Sequence, residues 1–247
     1  MYQPSIYIYI LFIFIIIALI RRGYFRHLFH EMFKEIKENS ITIISMLLTV
    51  VITMLLIDRP LNGLITSLKM PFLKDVSKFA DKFGNGEVHF SICLVVVTVS
   101  HFNEKYKIAK LFSISLISSV LAGVLGNILK IIFTRERPFV ALNPYHVFAF
   151  SETLFKGSIF NYQYMSLPSG HTITVFALLA PLFLFVKNKY LKGLILIPGF
   201  IVAFGRVYDN VHWPSDVLLG AVLGFFIGKI IYAINREKLS LGNEYPF

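Results

Sequence analysis

Charge is scarce in this chain. Of its 247 residues only 15% are Asp, Glu, Lys or Arg, against roughly 25% in soluble domains, which excludes an ordinary water-soluble domain. Cysteine is rarer still. Cys93 stands alone inside an apolar run, so it can form no internal disulfide and has no metal-ligand partners at suitable spacing. It reads as a packing residue. Low-complexity tracts and internal repeats are also missing. The net charge of +10 is a balance shared with nucleic-acid binders, but most of the cations flank apolar runs. There they orient helices and attract anionic lipid headgroups. No nucleic-acid module is recognisable, so lipid, not nucleic acid, is the expected partner.

What is present is hydrocarbon: 56% of the residues are hydrophobic and 25 are Phe. The apolar runs are Tyr2–Ile20, Ile41–Ile57, Val88–Phe102, Leu111–Phe133, Thr172–Val186, Leu194–Phe204 and Val217–Ile234. A spanning helix needs about 20 mainly apolar residues, so the third and sixth qualify only with flanking residues included. These runs predict an all-α, polytopic transmembrane helix bundle of seven spans. The expected division is residues 1–40 as N-terminal membrane helix and basic connector, and 41–247 as one membrane domain. The first run has no cationic segment before it and no small-x-small cleavage site after it, and Arg21, Arg22 and Gly23 follow. A retained helix is expected, not a signal peptide.

Basic residues set the expected orientation. Arg21, Arg22, Arg26, Lys34 and Lys37 lie on the same side as Lys105, Lys107 and Lys110, as Lys187, Lys189 and Lys192, and as Lys229, Arg236 and Lys238. That side should be cytoplasmic. Two connectors stand out on the opposite side. Across Leu61–Phe83, apolar residues recur at near-helical spacing with Lys69, Lys74, Lys78 and Lys82 between them. This pattern suits an amphipathic helix lying in the interface, either as a lipid-seated linker or as the surface by which a substrate arrives. The second connector, Phe139–Leu167, is a long loop rich in aromatics, among them Phe148, Phe150, Phe155, Phe160, Tyr162 and Tyr164. Loops of this length are usually functional or disordered, and the aromatic content favours function. It is expected to roof a site.

Three polar islands interrupt the hydrocarbon, all on the extracytoplasmic side. In the first, Lys130 and Arg137 are seven residues apart, on one helical face and roughly 10 Å apart along the axis if the helix persists. Pro138 disfavours helical geometry at Arg137, so a turn is expected there, swinging its guanidinium back toward Lys130. Arg135 reads as a cation snorkelling at the membrane boundary, and Glu136 as a solvated partner. The second island is Pro168-Ser169-Gly170-His171. Serine suits the N-cap, and the free N–H groups of a helix start favour an anion. Gly170 lets that anion approach the backbone, with His171 beside it. The third runs from Arg206 to Asp216. Pro214 suits the first turn of the last helix, placing His212 just before it and Asp216 within it. A carboxylate four residues on can fix the imidazole tautomer and leave the other nitrogen free to react.

Cations at a helix centre cost about 2.5 to 3.5 kcal/mol each on insertion scales, and less near the interface, so a cluster of them asks for an anion. The sequence suggests too few acids nearby to supply it. A phosphate would complete the cluster.

Lys130 with Arg137 and Pro138, Pro168 to His171, and Arg206 with His212 and Asp216 together resemble the three signature motifs of the type 2 phosphatidic acid phosphatase (PAP2) superfamily, which includes vanadium haloperoxidases. One departure is Gly205, where the family often has Ser; another is the first helix, since the resemblance implies six core helices and this chain adds an N-terminal one. The resemblance implies His212 as nucleophile, Asp216 as its orienting partner and His171 as general acid and then base. It implies Lys130, Arg137, Ser169, Gly170 and Arg206 as phosphate holders, with no metal and no cofactor. It further implies a membrane phosphatase of a bacterial inner membrane with its site facing the exterior. The substrate would be undecaprenyl diphosphate, phosphatidylglycerophosphate, phosphatidic acid or the phosphates of lipid A. A transporter and a catalytically silent phospholipid-binding relative are the rival readings.

Overall fold

The structure, a computed structural model, describes residues 24–68, 70–141 and 161–240, with Ile17, Tyr145, Val147 and Phe148. The first apolar run, apart from Ile17, and the centre of the aromatic connector, with Phe150, Phe155 and Phe160, lie outside the described residues. Among the described residues all regular structure is helical. In chain order the helices are α1 (Tyr24–Glu38), α2 (Ser40–Ser67, with a π turn at Thr53–Ile57), α3 (Pro71–Phe83), α4 (Gly86–Phe102), α5 (Tyr106–Phe133), α6 (Gly170–Phe185), α7 (Lys189–Tyr208) and α8 (Pro214–Ser240).

Helices α2, α5, α7 and α8 are long and apolar enough to cross a membrane, and α3 with α4 forms a fifth candidate span bent by 66°. Helix α6 is apolar too but shorter, at 16 residues. It is apolar all round, as a helix enclosed by others should be. Thr172, Ile173 and Val175 through Pro181 are all buried where it packs among α5, α7 and α8. The protein is thus an all-α integral membrane bundle with α6 at its centre.

The α6–α8 seam is unusually close, and small residues permit it. Gly220, Gly224 and Gly228 recur every fourth residue along α8 and face α6. A Cβ at Gly220 would stand 3.0 Å from the Ser169 carbonyl, one at Gly228 would stand 2.6 Å from Ala180 Cβ, and one at Gly224 would overlap the Ile173 carbonyl. This approach brings the start of α6 against the start of α8. At the opposite end of the bundle Lys229 pairs with Glu35, tying α1 to α8.

The interfacial segment departs from the sequence expectation of one helix over Leu61–Phe83. Leu61 to Ser67 belong to α2, and a new helix begins at Pro71. The proline has no N–H to contribute and suits the first helical position, while Met70 before it is extended at φ −106°, ψ 131°. Nor is α3 only seated in lipid. Phe72, Lys74, Lys78 and Phe79 are exposed, but Ser77 and Ala80 are buried where the helix packs on α7.

Candidate active site

The last turn of α7 and the first of α8 hold the third island. The chain reverses through Asn210, whose φ is 58°, and the N–H groups of Val211 and His212 donate to the Arg206 carbonyl at 3.3 and 3.2 Å. His212 lies buried before Pro214, and Asp216 sits in the first turn of α8. Its Nδ1 is 3.6 Å from Asp216 Oδ2, and its Nε2 is 3.4 Å from an Arg137 terminal nitrogen. A guanidinium can only donate, so Nε2 must present its lone pair and the ring proton belongs on Nδ1, toward Asp216. Burial first, and then the Arg137 charge, hold the imidazole well below the usual histidine range. Asp216 is held in turn by Ser166 Oγ at 2.5 Å, the Trp213 N–H at 2.9 Å and Arg135 at 2.6 Å.

The first island turns earlier than expected. Helix α5 stops at Phe133 because Thr134 adopts the left-handed conformation (φ 39°, ψ 50°), a strained choice for a β-branched residue. That turn carries Arg135 inward. It is not a snorkelling cation: it is fully buried, bonded through one terminal nitrogen to Asp216 and Ser215 Oγ (2.7 Å) and through the other to Asp58 at 2.7 Å. Asp58, from α2, also accepts from the Ser215 N–H at 2.7 Å and its hydroxyl at 2.6 Å.

Arg137 is gripped by the C-terminal end of the aromatic connector and by the third island. It donates to the carbonyls of Tyr162 (2.8 Å), Met165 (3.1 Å) and Val211 (2.8 Å), and its guanidinium lies 3.7 Å from the Tyr162 ring centroid. Burial draws it down to about 10, so it remains cationic at neutral pH.

The second island opens α6. Ser169 is the residue before the first turn, but its hydroxyl does not cap the helix. It accepts from Thr172 Oγ1 at 3.0 Å, while its N–H donates to the Asp216 carbonyl at 3.0 Å. Gly170 stands beside Lys130: a Cβ there would be 3.2 Å from Nζ. His171 follows, its Nε2 3.4 Å from Asp81 Oδ1 of α3. The same oxygen accepts from Arg206 at 2.5 Å. Arg206 Nε is buried and has no hydrogen-bond partner among the described residues. All eight residues read from the sequence therefore meet at one end of the bundle.

Asp58 and Asp81 escaped the sequence reading, and Arg135 was assigned to the membrane boundary instead of the interior. The expectation of too few nearby acids is overturned: Asp58 and Asp216 satisfy Arg135, Asp81 meets Arg206, and three carbonyls meet Arg137. A lone Asp ending an apolar run, and a buried-periodicity helix carrying Asp81, were the signals available. Among the described residues no three His, Cys, Asp or Glu side chains gather as a metal site.

The sequence pattern of the PAP2 superfamily matches residues 88–240, more than half of the chain. An undecaprenyl-diphosphatase from Sulfolobus acidocaldarius is 36% identical over 111 residues, covering 45% of this chain and 48% of that protein. The bacitracin transport permease protein BcrC of Bacillus licheniformis is 31% identical over 118 residues, covering 48% and 52%. The chain thus spans about half the length of these curated relatives. A crystal structure described as the first transmembrane PAP2 type phosphatidylglycerolphosphate phosphatase, from Bacillus subtilis, superposes with a TM-score of 0.55. That likeness covers 78% of this chain and 96% of the other at 19% identity, and it shows the fold. By the extent of the family match, with its motif residues gathered at one end of the bundle, this chain belongs to the PAP2 superfamily.

Proposed function

We propose that the protein hydrolyses a lipid phosphate monoester or diphosphate at the extracytoplasmic face of the membrane, through a phosphohistidine and without a metal. The observation that carries this reading is the setting of His212. Its Nε2 lone pair faces the cationic group of Arg137, and its Nδ1 is backed by Asp216. Nε2 attacks phosphorus as the bond from phosphorus to the leaving oxygen breaks, and His171 gives its proton to that oxygen. Neutral His171 then takes a proton from water, whose oxygen displaces Nε2 and releases phosphate. Asp216 stabilises the positive ring in between. Lys130, Arg137, Arg206 and the N–H groups at the start of α6 neutralise the phosphoryl oxygens. Ser169 Oγ and Arg206 Nε have donor capacity to add.

The site faces the side opposite the basic connectors, which supports an extracytoplasmic orientation. The membrane setting favours an acyl or isoprenyl substrate, and the likeness to an undecaprenyl-diphosphatase puts an isoprenyl diphosphate first among the candidates. Phosphatidylglycerophosphate, phosphatidic acid and lipid A phosphates follow. A transporter would need its ionisable groups along a path through the bilayer; here the cluster sits at one rim.

Substitution of His212 by Ala in purified protein should reduce phosphate release from these lipids by at least about a thousandfold. Acid-labile radiolabelled phosphate on the wild type, absent from the variant, would mark the intermediate. Undiminished turnover by His212→Ala overturns the reading.

A further inference from the structure

The helix α3 lies outside the residues matched by the family pattern, yet it enters the site at two points. Both depend on missing side chains. At the end of α3, a Cβ on Gly84 would come 2.6 Å from His171 Cδ2 and 2.8 Å from its Cβ, so only glycine leaves room for the imidazole where it stands. One turn earlier, Ala80 is fully buried against Gly205 of α7, where any added Cβ would overlap it. Gly205 is the position at which this chain departs from the family's usual Ser. Ser77 bonds Asp209 and pins the same face of α3 to the end of α7. The register so fixed delivers Asp81, the residue after Ala80, between His171 (3.4 Å) and Arg206 (2.5 Å).

We infer that Asp81 is a positioning residue for the reaction, holding His171 toward the leaving oxygen, and that the Gly205–Ala80 contact is what brings it there. The inference rests on the proposed role of His171 as proton donor. Asp81 touches neither phosphorus nor the leaving group; it acts on the ring that does. A carboxylate at Nε2 orients the imidazole and supports its protonated form, as a carboxylate does for the basic histidine of a hydrolytic triad. On Arg206, Asp81 occupies one terminal nitrogen, and Nε, without a hydrogen-bond partner among the described residues, is a donor to an oxyanion with or without Asp81. Asp81 is itself 58% exposed at its side chain, so its replacement by Asn removes no core packing.

The test uses two substrates that differ in their need for a proton. An alkyl phosphate such as phosphatidic acid releases a strongly basic oxygen and requires the acid; p-nitrophenyl phosphate releases a stable phenolate and does not. For Asp81→Asn in the full-length protein, kcat/KM should fall about 10- to 100-fold with phosphatidic acid and less than about threefold with p-nitrophenyl phosphate. His171→Asn should show the same split, and the double variant should lose no more than His171→Asn alone. Gly205→Ala, which removes no charged group but forces α3 and Asp81 with it away from α7, should reproduce the split. Equal losses on both substrates, no loss on either, or additive losses in the double variant would overturn the inference. Failure of the proposed function is read separately: it would show as a His212→Ala protein that still turns over both substrates.

Discussion

The nucleophilic imidazole proposed at His212 must be neutral, and its environment enforces that. Burial, followed by the nearby Arg137 guanidinium, disfavours the charged ring. The sign is definite: a depressed histidine value keeps Nε2 unprotonated to lower pH than a free imidazole, whose midpoint is about 6.5. Histidine-selective NMR of the substrate-free protein should therefore give a His212 midpoint below that value, and the acidic limb of kcat/KM should lie below it too. A midpoint at or above the ordinary one would contradict the site's electrostatics. The same shift weakens folding as pH falls through the ordinary midpoint, because the unfolded chain then takes up a proton that the folded one refuses. At this scale the sequence was informative where residue types are chemically rare in a membrane, as with His212, His171 and Asp216. It misled at Arg135, whose neighbours in the chain resemble any boundary cation. Only the left-handed turn at Thr134 shows it pointing inward.

The helices do their part by approaching closely. Ser169 and Gly170 reach the third island because α6 and α8 touch backbone to backbone along Gly220, Gly224 and Gly228. Gly224→Ala should destabilise the protein by about 1 to 3 kcal/mol through overpacking and should lower turnover by separating the second island from the third. Gly193→Ala is the matched control, since a Cβ there meets nothing within 4 Å among the described residues. It should leave turnover unchanged and stability equal or slightly raised. Thermal unfolding in detergent, with phosphate release measured alongside, separates the two. Hydrophobic runs made the core helices legible in the sequence, since length and apolarity are local properties. The division between α2 and α3 was less so: periodicity continues across Leu68 to Met70, and Pro71 is the one residue that breaks it. The four-residue glycine spacing in α8 was legible in principle and is a packing signal in membrane helices.

Over the whole molecule, Arg135 is the joint. Its two terminal nitrogens bind Asp58 from α2 and Asp216 from α8, with Ser215 between them, all fully buried. Removing one member of such a network strands charges in a low-dielectric interior, a loss of about 3 to 5 kcal/mol. Arg135→Ala should thus unfold at clearly lower temperature than the wild type and lose activity as Asp216 shifts; an unchanged melting profile would show the network to be dispensable. No inspection of one segment could have found this joint, because its members are 77 and 81 residues apart in the chain. The bundle architecture and its one-sided site could be read from hydropathy and charge, whereas the pairing of distant acids with particular cations could not.

Asp58 and Asp81 both precede residue 88, where the family pattern starts. A stretch cut to that pattern would carry every signature residue and still leave Arg135 with half its counter-charge and His171 with no carboxylate beside it. Grafting this chemistry onto another scaffold, or swapping halves between relatives, would therefore need the segment from Asp58 onward to travel with the motifs as a single heritable block.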